Sequence, residues 1–370
     1  MLRQNSLLRC AAIALGIVLT SIAAAAAPQD AASQIKSEIE RTQQSLKDKP
    51  ISNPDFPEIN SRIEGLLNES SAALSSGWLF LALEKLGQAE DLLEGGRTTV
   101  EKSETVKSGL PAFEAEWNKA SLELAGFDKK AHQRAWNRAP AGVRAISEAA
   151  QGRALPLLEG SRGFATATRP KDGLFYMGES KGEAGFAGFV YALSIPRKTK
   201  EFPLRSLLPE LQALQEKTNA AFQPPRSIEM HPRFIALNST LKFARELDAT
   251  KSYAGALYQY LEAVRHYSML EPAVPDATQQ AAIRSKLTAE LKKVTDSSRD
   301  DSIAQIFLER AAGWLNKPAG AAPSDDEWRA GRIIVEEVLP AYYSALKPAA
   351  PLPQRAGRTA TLTLVRWPYT

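Results

Sequence analysis

Apolar positions recur at three- and four-residue steps along most of the chain, a spacing that places them on one face of an α-helix. Ala32, Ile35, Ile39, Thr42 and Leu46 form a thin stripe that ends before Pro50. Ile59, Ile63, Leu66, Leu67 and Leu74 make the next face, preceded by Asp55 and Glu58 at capping-box spacing. Ser75, Ser76 and Gly77 predict a tight turn. Leu79, Ala82, Leu83, Leu86, Ala89 and Leu93 then predict a helix stopped by Gly95-Gly96. Two amphipathic helices with a short break between them read as an antiparallel hairpin.

The pattern continues through Phe113, Trp117, Ala120 and Leu124, and through Val143, Ile146 and Ala150. After Leu204, Leu207, Leu208, Leu211 and Leu214 comes a second hairpin. Its stripes are Leu237, Leu241, Ala244 and Leu247, then Tyr253, Leu257, Tyr260, Leu261 and Val264. Ile283, Leu287, Leu291 and Val294 follow, then Ile303, Phe307, Ala311 and Trp314. Ser324 and Glu327 form another capping box before Trp328, Val335, Val338 and Tyr342, with a kink expected at Pro340. Trp78, Trp117, Trp136, Trp314 and Trp328 fall at helical spacing among these apolar residues and read as packing groups.

The expected fold is therefore all-α: stacked antiparallel helical hairpins, either helical-repeat-like or in two similar halves. Two stretches depart from the pattern. Residues 160–183 are rich in glycine and aromatics and predict an irregular segment. The end, Thr359 to Trp367, predicts a strand-like tail behind a proline-rich linker, Pro348 to Pro353. The expected organisation is a leader over 1–27, helical halves over 28–195 and 203–346, and a basic tail over 347–370.

A gap-free shift of 174 residues superimposes the two hairpins. Ile63 falls on Leu237, Leu67 on Leu241, Leu79 on Tyr253, Ala82-Leu83 on Ala256-Leu257, and Ala89 on Ala263. A duplication predicts this, and so does the phase of any two amphipathic stripes. The Ala-Leu-x-x-hydrophobic spacing resembles that of tetratricopeptide-type repeats, but their period of about 34 residues is missing.

Composition changes the picture mainly at the amino terminus. Arg3 and Arg9 flank the start of an apolar run from Ala11 to Ile22, followed by five alanines, Ala23 to Ala27. This reads as a secretory leader cleaved near Ala25–Ala27, too short for a membrane span, and predicts a periplasmic or secreted protein. The single cysteine, Cys10, would leave with it, excluding disulfides and thiolate chemistry from the mature chain. The formal charge of +4 would fall to near +2. Lys347, Arg355, Arg358 and Arg366 lie in an acid-free tail, so the body is near −2. A nearly neutral body with interspersed charges is not a nucleic-acid footprint.

Candidate chemistry is sparse. Gly178-Glu179-Ser180-Lys181-Gly182 matches the G-x-S-x-G of a hydrolase elbow, with His231 or His266 as base and Asp248 as its orienting acid. The surrounding sequence lacks the parallel-strand series that such an elbow needs. Ser239 and Lys242 match S-x-x-K inside a helical stripe. Glu262 and His266 stand four apart, one residue longer than the spacing of a helical di-iron site. No phosphate loop, dinucleotide fingerprint or calcium loop is present, and no metal or cofactor is expected. The favoured expectation is a non-catalytic protein that binds a protein partner or a small-molecule ligand through an inter-helix groove. Arg169, Phe175, Tyr176 and Glu179 are its candidate binding residues, with Phe175 or Tyr176 placed between the halves.

Overall fold

The computed structural model describes residues 30–107, 109–132, 139–196, 198, 200, 203–270, 273–317 and 321–347. The expected leader and nearly all of the expected basic tail lie outside them, as do Trp136 and Trp367. The described residues form helices and no strand. In the first half these are α1 (Ala31–Asp48), α2 (Ile59–Ser75), α3 (Leu79–Val106), α4 (Leu110–His132), α5 (Ala141–Thr166) and α6 (Pro170–Ala192). The second half holds α7 (Leu208–Ala221), the single turn α8 (Arg226–Glu229), α9 (His231–Ala249) and α10 (Tyr253–Ser268). It continues with α11 (Ala277–Asp296), α12 (Ser302–Leu315), α13 (Asp325–Ile333) and α14 (Leu339–Ala345). Among the described residues, no helix is long and apolar enough to cross a membrane.

The stripes become the core as their spacing dictates. Ile35, Ile63, Leu67, Leu83, Leu86, Leu237, Leu241, Leu261 and Phe307 are all fully buried. One continuous apolar cluster runs from Ile35 through both halves to Ala345. A smaller one under α4 holds Phe113, Leu158, Leu174 and Met177.

The two predicted hairpins, α2–α3 and α9–α10, share local detail. The 174-residue shift carries the end of α2 onto the end of α9 and the start of α3 onto the start of α10. Gly77 (φ 77°) and Lys251 (φ 64°) both adopt the left-handed conformation at equivalent turn positions. Both turns close with the same six-residue bond: Trp78 N donates to Ala73 O and Ser252 N to Leu247 O, each at 2.9 Å.

The halves are joined by carboxylates that cap each other's helices. Glu309 on α12 accepts from Phe80 N (2.6 Å) and Leu81 N (3.0 Å) at the start of α3. Glu148 on α5 accepts from Gly255 N at the start of α10 (2.8 Å). Asp300 accepts from Ala141 N at the start of α5 (2.6 Å). Each places negative charge against a helix's positive end and satisfies otherwise unpaired amides.

Three sequence expectations are corrected. Residues 160–183 are not irregular: they complete α5 and most of α6, and the break is a turn at Ala167–Arg169 with Thr168 at φ 63°. Gly95-Gly96 does not stop α3. Helix α3 continues through them, and they are small because neighbours lie against them. A Cβ on Gly95 would meet the Phe175 ring at 3.0 Å, and one on Gly96 would meet Ile59 at 2.7 Å. The Asp55–Glu58 capping box does not form. Phe56 precedes Pro57, which disfavours helical backbone there, so α2 starts only at Ile59, and Asp55 pairs with Lys171 at 2.7 Å. Near the kink expected at Pro340, the helix carries a π turn over Ile334–Val338, just before the proline, whose ring and missing N–H disturb the preceding turn. The Ser324–Glu327 box forms as expected.

Candidate functional site

An open groove of about 1600 Å³ runs between the halves. Helix α5 contributes residues along its length from Arg144 to Gly160. One wall is α4 and α6; the other is α9 and its turn into α10. Pro156 lies within α5, and Leu155 beside it is 51% exposed.

Aromatic area comes from Phe164, Tyr176 and Phe243. Tyr176 stacks on Phe164 with centroids 4.6 Å apart and planes within 4°. Polar reach comes from Ser121, Gln151, Ser239, Thr240, Ser252 and Gln259. Six of the charges form three pairs within the site. Arg144 faces Glu148 at 3.5 Å and Lys242 faces Glu246 at 3.7 Å, while Arg153 grips Glu183 with both Nε and Nη2.

Four predicted binding residues fall in two places. Tyr176 and Glu179 line the groove. Arg169 is not among the lining residues; its guanidinium lies 5.3 Å from the ring centre of Phe164, which is, and pairs with Asp172. Phe175 belongs elsewhere. It stacks on Phe56 at 5.8 Å and fills the notch at Gly95, inside the first half.

Ser180 is not on an elbow. It sits in the middle of α6, 2% exposed, and its hydroxyl donates to Ala154 O on α5 at 2.6 Å. The glycines of the motif serve helix packing. A Cβ on Gly178 would stand 2.3 Å from Glu94 O, and one on Gly182 would stand 3.0 Å from Asp91 Cα. The pattern is a small-x-x-x-small contact that lets α6 lie against α3. His231 is exposed at the start of α9. His266 sits beside Arg265 at 3.5 Å, and burial together with that neighbour pushes its pKa down to about 4. Asp248 accepts from Leu207 N and Ser206 Oγ and is spent on the start of α7. No group of three or more metal-ligating side chains occurs among the described residues.

Sequence reasoning missed Asp91, Arg153 and Glu183. Asp91 is on α3, where α6 crosses it, and it reaches the groove beside Glu179. Burial and the carboxylates Glu183, Glu179 and Glu90 push its pKa well up. Burial and Glu183 push Glu179 up to about 7. No motif marks these residues; only the packing of α3, α5 and α6 against one another brings them together.

No protein family, curated protein or solved structure matches this chain.

Proposed function

We propose that this is an exported, non-catalytic protein that holds an extended segment of a partner protein in the groove between its halves. The groove carries the reading. Its volume exceeds the roughly 300–1,000 Å³ typical of small-molecule sites, and it is open along α5 instead of closed around a compact ligand. A peptide presents alternating apolar side chains and backbone donors and acceptors. The lining offers matching partners: the Phe164–Tyr176 stack and Leu155 for side chains, and Gln151, Thr240 and Gln259 for backbone groups. The leader pattern of the first 27 residues supports export. The burial of Ser180 and the commitment of its hydroxyl to Ala154 argue against the serine-hydrolase alternative.

The test is fluorescence anisotropy with a panel of labelled ten-residue peptides. Some should bind with micromolar dissociation constants. Ser239→Trp on the exposed rim of α9 and Leu155→Arg on α5 should each weaken that binding ten-fold or more while leaving the melting temperature in place. Binding indifferent to both changes, or esterase activity that Ser180→Ala abolishes, would contradict the reading.

A further inference from the structure

Where α6 crosses α3, the large groove meets a second cleft of about 490 Å³ between α2 and α3, and Asp91 and Glu179 line both. Asp91 Oδ1 is closed off from solvent and accepts no hydrogen bond among the described residues. It lies in the notch left by Gly182, where a Cβ would stand 3.0 Å from it. Glu179 likewise has no hydrogen bond or ion pair among the described residues. A buried carboxyl oxygen without a donor is costly and is seldom retained without a use.

The charges around the pair do not balance. Helix α3 contributes Glu90 and Asp91, and α6 contributes Glu179 and Glu183. Against these stand Arg153 from α5 and Arg62 from α2. Arg153 is held by both oxygens of Glu183 and has little left to offer. Two further cations nearby are taken: Lys85 by Glu69 at 2.6 Å and Lys181 by Glu123 at 3.5 Å. The second half resolves the same position differently. The 174-residue shift carries Asp91 onto Arg265, which pairs with Glu262 at 2.8 Å. The position that is charge-paired in α10 is left with an unpaired carboxyl in α3.

We infer that Asp91 and Glu179 form a subsite for a cationic group, an ammonium or guanidinium, carried by the segment that occupies the groove. This rests on the reading of the groove as a binding site for a peptide. A cation entering there adds to the limited positive charge that Arg62 and Arg153 bring to these crowded carboxyls, neither of which forms an ion pair with Asp91 or Glu179 among the described residues. Empty, the pair relieves its crowding by keeping protons, with Glu179 at about 7 and Asp91 higher than its usual range. Cation binding therefore displaces protons, and affinity falls as pH drops below about 7.

The experiment compares two labelled peptides, Ac-SYKLSYKLSY-amide and the same sequence with norleucine at both lysines, on the full mature chain. At pH 8 the lysine peptide should bind at least ten-fold more tightly, and at pH 5.5 the difference should shrink to about three-fold or less. Asp91→Asn combined with Glu179→Gln should erase the difference between the two peptides. Glu179→Gln alone, at a half-buried site, should reduce the difference if the double variant folds poorly. Calorimetry in phosphate and in Tris should show proton release on binding the lysine peptide. Equal binding of the two peptides to the wild type would overturn the cationic subsite while leaving the groove reading standing. If neither peptide binds, the groove reading for this peptide class fails. The subsite is then judged with spermidine, and a thermal shift no larger in wild type than in the double variant overturns it.

Discussion

Tyr176 and Ser180 lie four residues apart on one helix and have opposite surroundings. Tyr176 is half-buried, stacked on Phe164 and open to the groove. Tyr176→Ala should weaken peptide binding at least five-fold and cost about 1–2 kcal/mol, less than a fully buried aromatic because part of the ring already meets water. Denaturant melts and anisotropy measure both. Ser180→Ala removes one buried hydroxyl and leaves Ala154 O without that donor, so a modest loss of about 1 kcal/mol with unchanged binding is expected. Gly178→Ala should be worse than either. Its new methyl would stand 2.3 Å from Glu94 O, a backbone atom that cannot step aside, so a cost near 3 kcal/mol is expected in the same melts.

Among the helices, the sequence was legible wherever one face is buried and the other wet. The α2–α3 and α9–α10 hairpins, the Gly77 turn and the Ser324–Glu327 box all follow from local spacing. It was illegible at α5–α6, because glycine has two opposite uses. In isolation Gly160, Gly163, Gly173, Gly178 and Gly182 look like loop residues. In the fold, three of them, Gly173, Gly178 and Gly182, sit where another element's atoms lie within contact of the absent Cβ. Only the partner helix reveals that use. Asp91 was hidden for the same reason. The caps that hold the helices together were equally invisible, since Glu309 caps α3 across 229 positions of sequence. Glu309→Ala would leave Phe80 N and Leu81 N without an acceptor and should cost about 2–3 kcal/mol. Glu309→Gln, which keeps an acceptor but no charge, should recover part of that loss, as thermal melts would show.

For the molecule as a whole, an excess of buried carboxyls sets the response to pH. Burial pushes Glu90 up to about 8 and Glu179 and Glu309 up to about 7, and raises Asp91 and Glu148 as well. Each holds its proton more tightly folded than unfolded. Its contribution is full below the ordinary carboxyl range and is lost as pH climbs through the folded value. His266, depressed to about 4, works in the opposite sense: its contribution is present above about 6.5 and fades toward pH 4. Among the described residues, the carboxyls held low lose their contribution only below this interval, so between pH 5 and pH 8 the five raised carboxyls outweigh His266 and the melting temperature should fall. Asp91→Asn with Glu179→Gln should flatten that fall, and a rise over the same interval would contradict the assignment.

On the proposed function, a peptide lies in the cleft between the halves. Amide hydrogen exchange measured on the protein, with and without saturating Ac-SYKLSYKLSY-amide, tests it most directly. Slower exchange should be concentrated in the groove-facing parts of α5 near Gln151–Gly160 and of α9 from Ser239 to Ser252, with α11 unchanged. Protection confined to α11 and α7, or uniform across all helices, would contradict it.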